Sequence, residues 1–449
     1  MSAHTPEDQT PIQDRDQLVE FMLARAKPSS EWLIGTEHEK IGYSLTRRQR
    51  PTFTGEIEEL FFALEREGWR ATRENTMTPE GQPSSAIIAL HHQGASITLE
   101  PGGQLELSGA PVRLLDETAQ EVDEHLKLIN RLSEPLGLIW TGLGSDMTPP
   151  NRTPKMPKAR YQVMRRYLPH QGELALHMMH ATATIQSNLD YASEADAMRK
   201  LRAALYVQPV VMAMFANSFV LDDQLRPGSC ARSTIWLNTD PDRYLYPAEW
   251  LKEDTPIRSY VDWALHVPMF FIARDGAYLD CAGLPFVQFI REGFQGHRAT
   301  MGDFELHLST LFPDARLKQH LEVRGADMSS PEYVTALSAL HVGLLYDIQS
   351  LDQTLCLFEE ISASELWTAR DQVDQSGLST ALGERTLQDF AEDLLDIAYT
   401  GVARWEPGSE RYLNPVVDSI TQGRAPADQH RLLWSQGYEQ LMKGTKLSS

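Results

Sequence analysis

Acids spaced two apart inside apolar, strand-like runs constrain this chain more than any other feature. The run IGTEHEKIGY (34–43) carries Glu37 and Glu39, and SITLEPGGQLELS (96–108) carries Glu100, Gln104 and Glu106 around Gly102 and Gly103. Side chains at i and i+2 of a strand project to one face. Glu37 and Glu39 therefore stand side by side, as do Gln104 and Glu106. Carboxylates this close repel one another unless something positive lies between them, and a hard divalent cation with bound phosphate meets that need. An isolated pair reads more readily as a solvated sheet face balanced by Lys40 or an arginine. Glu322 in LEVRGAD (321–327) adds an acid from a third strand-like region. Together Glu37, Glu39, Glu100, Glu106 and Glu322 form a candidate metal set for Mg²⁺ ions that keep waters and phosphate oxygens. His38, between the acids, is expected to point to the opposite layer.

Composition sets the class. A chain of 449 residues with 42% hydrophobic and 23% charged residues is an ordinary globular protein. Its net charge of -21 argues against a sequence-independent nucleic-acid binder and against docking on an anionic membrane. No apolar run approaches the ~20 residues that span a bilayer. Three well-separated cysteines, Cys230, Cys281 and Cys356, offer no zinc spacing and fit a reducing compartment. The first residues show neither a signal-peptide nor a transit-peptide pattern, which leads to an expectation of a cytoplasmic enzyme. Residues 1–15 are polar and expected to fray. Residues 16–449, without repeat or linker, are expected to form a single catalytic domain with C-terminal helices.

Periodicity predicts helices over 16–26, 55–69, 111–136, 193–217, 331–349 and 378–397, and strands over 34–43, 86–92, 95–107, 138–142, 180–190, 269–273 and 316–324. Residues 233–238 read as a short strand. Isolated strands alternate with long helices and no regular βαβ rhythm appears, so the fold class is α+β. Residues 151–170, rich in Pro, Lys and Arg, read as a functional loop that covers the site.

There is no GxxxxGK[ST], no GxGxxG after a strand and no GxSxG elbow, so no P-loop, Rossmann or α/β-hydrolase site is indicated. The arginines are the second lead. Arg160 and Arg165 lie in MPKARYQVMRRYLP (156–169), Arg232 in RSTIW (232–236) and Arg324 beside Glu322. Guanidinium groups suit bidentate binding of carboxylate or phosphate. Gln186 and Asn188 share a strand face and are candidates for the nucleotide or a metal-bound water. His177, His180, Glu305, His307 and Cys281 are read as packing residues.

Taken in order, IGTEHEKIGY, ITLEPGGQLELSGAP, MPKARYQVMRRYLP, HMMHATATIQSNLDYASEADAMRKLRAAL, RSTIWLNTDPDR and RLKQHLEVRGAD resemble the glutamate–cysteine ligases of the plant and proteobacterial type. The resemblance implies a glutamine-synthetase-like fold: a curved, mostly antiparallel sheet forming a funnel surrounded by helices. It implies ATP-dependent joining of L-cysteine to the γ-carboxylate of L-glutamate through γ-glutamyl phosphate, the first step of glutathione synthesis, with a related ligase using another amine acceptor as the alternative. Its cofactors would be ATP and Mg²⁺. Its partners would be small-molecule substrates rather than nucleic acid or membrane, acting on a monomer or homodimer. Carried over by motif, Glu37, Glu39, Glu100, Glu106 and Glu322 would hold Mg²⁺. Arg160, Arg232 and Arg324 would be catalytic, meeting carboxylate or phosphoryl, and Gln186, Asn188 and Arg165 would bind the nucleotide. Plant members carry a cysteine pair near the segment matching Cys281. No second cysteine follows here between Phe289 and Asp303, so that crosslink cannot form, and the missing transit pattern suggests a bacterial setting.

Overall fold

The computed structural model describes residues 8–77 and 83–448. The acid-bearing runs lie in one sheet. Its strands are β1 (Ile34–Ser44), β2 (Arg70–Met77), β3 (Pro83–His92), β4 (Ala95–Leu99), β5 (Leu105–Ser108), β6 (Leu138–Thr141), β7 (Thr184–Leu189), β8 (Ala315–Leu317) and β9 (Leu321–Asp327). Among the described residues the order is β8-β9-β7-β1-β5-β4-β3-β2, with β6 joined to β1. Every pairing is antiparallel. Mixed helix and antiparallel sheet is the predicted class, although the sheet does not close on itself. A bulge between Val323 and Ala326 irregularises the β9–β7 pairing, and bulges bend the strands that carry them.

The helices that matter to the site are α1 (Arg15–Leu23), α2 (Leu115–Ser133), α3 (Arg160–Tyr167), α4 (Ala175–Ala181), α5 (Glu194–Met214), α6 (Ala231–Leu237), α7 (Pro331–Leu345), α8 (Ala363–Ser376) and α9 (Leu387–Trp405). Burial along β1 alternates strictly from Ile34 to Lys40. Thr36, His38 and Lys40 face a helical layer, while Gly35, Glu37 and Glu39 are half-buried on the other side. The helical side is fixed by polar contacts. Thr36 Oγ1 meets Ser338 Oγ of α7 at 2.7 Å, and the His38 ring packs edge-on against His125 of α2 at 5.4 Å. His38 thus points away from the acids, as expected, and Lys40 cannot neutralise them from their own face.

Four expectations are corrected. Residues 231–237 form helix α6 rather than a strand. The β-branched Thr234 and Ile235 suggested extended chain, but Arg232 and Trp236 fall on one helical face at i and i+4, which is what the packing uses. His180 lies at the end of α4, and the following strand begins only at Thr184. The frayed segment expected over 1–15 lies outside the described residues up to residue 7. From residue 8 the chain is tied down: Gly302 and Met301 donate backbone N–H groups to Asp8 and Thr10 (2.9 Å each), and Ile12 donates to Ala299 (3.1 Å). The expected 316–324 strand is a hairpin, with β8 and β9 turning at Lys318–His320.

Helices α7 and α9 pack on each other through facing glycines. A Cβ built on Gly401 would sit 1.9 Å from the carbonyl oxygen of Gly343. The obstacle is backbone, so the helices must part. Gly401→Ala is expected to lower stability by about 1–3 kcal/mol, read from denaturant unfolding. An unchanged midpoint would show that this crossing is not close-packed.

Candidate active site

The acid face of β1 forms one wall of a cavity. Glu37, Glu39, Glu100, Gln186, Arg232 and Arg324, all singled out from the sequence, line it together. Register explains the convergence: Glu37 stands opposite Gln186 of β7 on one side and Ser108 of β5 on the other, while Glu39 stands opposite Glu106. Crowding has an electrostatic signature. Burial, reinforced by Glu322 and Glu106, pushes the Glu37 carboxyl up to about 7. Burial, with Glu100 and Glu106 adding to it and Arg232 opposing, raises Glu39 well above the usual carboxylate range. Glu37 accepts from Asn188 Nδ2 at 2.8 Å, and Glu39 accepts the Thr184 N–H at 3.2 Å.

The cations enter from two elements. Arg232, near the start of α6, donates to the carbonyls of Arg324 (2.9 Å) and Gly325 (3.2 Å). Helix α6 is itself held at its start, where the Arg232 N–H donates to Ser218 Oγ and Ser218 Oγ donates to Asp327. Arg324 donates to Gln186 Oε1 at 3.1 Å. Trp236 lies one turn on from Arg232, and both guanidinium groups sit 5.6 Å from its ring.

Two of the five acids do not line the cavity. Glu106 is wholly buried beneath it and accepts from Thr98 Oγ1 at 2.7 Å. Glu322 is enclosed by cations. Arg316 and Lys318 reach it at 2.6 Å each, and Arg324 makes a further ion pair. Burial alone would raise its pKa, but Arg316, Lys318 and Arg324 hold its carboxyl well below the usual range. Among the described residues no three His, Cys, Asp or Glu side chains form a ready cage for a metal. The acids make a wall rather than a closed site.

Three other candidates also stand off the wall. Asn188 acts through Glu37. Arg160, buried at the start of α3, lies over the Tyr161 ring at 5.5 Å and within electrostatic reach of Glu100. Arg165 donates to the carbonyl of Pro101 (2.9 Å) and to His180 Nε2 (3.2 Å). Of the expected covering segment 151–170, only Met164 lines the cavity. Glu305, read as packing, lines it too, whereas His307 is buried with Nε2 2.8 Å from the Ala264 carbonyl oxygen. Cys281 is buried, which pushes its thiol up to about 12.

Sequence reasoning missed Arg316 and Lys318. Their signal was present, since an antiparallel hairpin over RLKQHLE places Arg316 opposite Glu322. Met178 and Met179, with Met164, Pro101 and Trp236, give the cavity an apolar side. Phe21 and Arg25, from α1 and the turn after it, also reach it, with no signal in their own segment.

An open antiparallel sheet flanked by helices thus presents carboxylates and arginines to one cavity. A solved glutamate–cysteine ligase from Francisella tularensis, in complex with AMP, shares the fold with a TM-score of 0.54 at 13% identity, covering 92% of this chain and 87% of its own. Sequence comparison is more specific. The family model described as glutamate–cysteine ligase family 2 matches residues 33–444. The chloroplastic glutamate–cysteine ligases of Medicago truncatula and Arabidopsis thaliana are 37% and 38% identical, covering 95% and 92% of this chain and 83% and 78% of their own length. The chain belongs to the glutamate–cysteine ligase family 2. These relatives are chloroplastic enzymes, and that finding overturns the cytoplasmic expectation.

Removing Glu322 would leave two buried arginines, Arg316 and Arg324, and the half-buried Lys318 without their shared anion. Glu322→Ala is expected to lower stability by about 3–5 kcal/mol, measured by urea unfolding. A loss under about 1 kcal/mol, the size of a surface pair, would show that the cluster is solvated.

Proposed function

We propose that residues 16–449 act as one catalytic domain that joins L-cysteine to the γ-carboxylate of L-glutamate at the expense of ATP, the first step of glutathione biosynthesis. The observation that carries the reading is the meeting of Glu37, Glu39 and Glu100 with Arg232 and Arg324 around one cavity, in a chain of this family. A carboxylate is a poor electrophile and must first be activated. The γ-carboxylate oxygen attacks the γ-phosphorus of ATP, forming γ-glutamyl phosphate and releasing ADP. The amine of cysteine then attacks the acyl carbon, the C–O bond to phosphate breaks, and the amine loses its proton as the amide forms.

The residues fit Mg²⁺. Glu37 and Glu39 carry raised pKa values because burial, and then crowding by neighbouring carboxylates, disfavours their ionised forms, and a divalent cation offsets both. Glu37, Glu39 and Glu100 would hold it, with Glu106 behind them, and it would neutralise phosphate charge during transfer. Glu322 has a different part in this reading. It fixes Arg316, Lys318 and Arg324 into a cationic group beside the acids. Arg232 and Arg324, desolvated and held by backbone carbonyls and by Gln186, stabilise the charge that develops on the transferred phosphoryl and the substrate carboxylate. The apolar side made by Met164, Met178, Met179 and Trp236 limits water, which protects the acyl phosphate from hydrolysis.

ADP formation is expected only when ATP, Mg²⁺, glutamate and cysteine are all present, and a panel of other amines tests the acceptor. Absence of cysteine-dependent ADP formation would refute the proposal. Glu37→Ala is expected to reduce turnover by about 10³-fold, the scale of losing a charge-stabilising group in a desolvated site. Turnover within a few fold of the unaltered enzyme would remove Glu37 from the metal set.

A further inference from the structure

The turn Glu100–Gln104, between β4 and β5, delivers two cavity-lining side chains, Glu100 and Gln104. It closes on itself: Gly103 N–H donates to the Glu100 carbonyl at 2.8 Å, and Glu100 N–H donates to the Gln104 carbonyl at 2.9 Å. The carbonyls in between, of Pro101 and Gly102, are each taken by an arginine. Arg165 Nη2 donates to Pro101 at 2.9 Å, and Arg50 Nη2 donates to Gly102 at 2.7 Å.

Arg50 comes from the segment just after β1 and is 1% exposed. Its second branch, Nη1, is ion-paired with Asp146, which is fully buried. Asp146 is in turn fixed by Tyr43 Oη of β1 (2.5 Å) and by the Thr148 N–H (3.0 Å). The Asp146 N–H donates to the Ala181 carbonyl at the end of α4 (2.8 Å). The turn has no slack on that side, because a Cβ on Gly102 would stand 2.5 Å from the His180 carbonyl oxygen. A buried ion pair adds little net stability over apolar packing. What this pair supplies is geometry: a planar fork with one prong on a carboxylate and the other on a turn carbonyl.

We propose that Arg50 and Asp146 are a positioning pair for the reaction, setting Glu100 and Gln104 against the cavity through the Gly102 carbonyl. Arg50 does not touch substrate, and its part is to hold the turn still. This rests on the reading that Glu100 faces the metal–nucleotide, and the two can be tested apart.

The test uses the full chain carrying Arg50→Met, with circular dichroism to confirm folding. Amide exchange at Gly103 is expected to quicken about tenfold or more while residues 105–107 keep their protection. The Mg²⁺ concentration for half-maximal activity is expected to rise about 10–100-fold, the scale for losing a group that orients a ligand. The KM for glutamate is expected to stay within about twofold, since a general loosening would move both. Arg50→Lys, a point charge that cannot reach Asp146 and Gly102 together, should recover only part of the effect. In the Glu100→Gln background, Arg50→Met should add little. Unchanged exchange at Gly103, or an unshifted Mg²⁺ requirement alongside a shifted one in Glu100→Gln, would overturn the proposal. A normal Mg²⁺ requirement in Glu100→Gln alone would instead overturn the metal reading of Glu100. If Arg50→Met does not fold, Asp146→Asn cuts the same clamp at constant volume and is read by the same outcomes.

Discussion

Like-charge crowding on one face of β1 is the constraint around which the rest is arranged. Glu37 and Glu39 cannot leave each other, because both are fixed to the strand. A slip of one residue would turn His38 and Lys40 into the cavity and drive both acids into the helical layer. The register must therefore be locked from behind. The Thr36–Ser338 hydrogen bond and the His38–His125 ring contact do this at two points, tying β1 to α7 and α2. The close approach of α7 to α9, built on Gly343 and Gly401, supports the first of these from a further layer. Helices distant from the cavity thus decide which face of β1 the acids occupy.

Charge balance explains the neighbouring strands. The chain is strongly acidic overall, yet its cavity holds Arg232, Arg316, Lys318 and Arg324 beside the acids. Bringing that many cations together out of water would be costly without a counter-charge. Glu322 supplies it from within the same hairpin. One carboxylate with three cationic partners leaves net positive charge on that side, which suits an anionic substrate group. The opposite side carries Glu37, Glu39 and Glu100, and the raised pKa values of Glu37 and Glu39 mean that a cation there favours their ionised forms. The cavity is polarised by the distribution of side chains along antiparallel strands.

Much of this was legible in the residues because strand periodicity is simple. The i,i+2 rule placed Glu37 with Glu39 and kept His38 out, and the structure agrees. The glycine pair in LEPGGQLE marked a turn, and a turn is there. Helices misled where composition competed with period: Thr234 and Ile235 suggested a strand, while the useful signal was the i,i+4 spacing of Arg232 and Trp236. Glu322 was grouped with the metal acids because a sequence shows a residue's chemistry and not its neighbours. Pairing β8 with β9 would have shown Arg316 opposite it. The Phe21 and Arg25 contribution was not readable at all, since only the tertiary path of α1 brings it to the cavity.

The arginines carry the last point. Arg50, Arg165, Arg232 and Arg324 all bear the same fork, and all lie in or near segments that a sequence reading links to the site. Their parts differ by what the fork meets. Arg232 and Arg324 spend donors on backbone carbonyls and Gln186 yet still line the cavity, so they are oriented with charge facing a ligand. Arg165 and Arg50 spend theirs on consecutive turn carbonyls, and neither lines the cavity. The difference follows from position, because Arg232 and Arg324 border the cavity while Arg50 and Arg165 hold the turn carbonyls behind it. Counting arginines near a site therefore overestimates its binding groups. Asking which guanidinium groups border the cavity separates those placed to meet ligand from those that hold the wall in place.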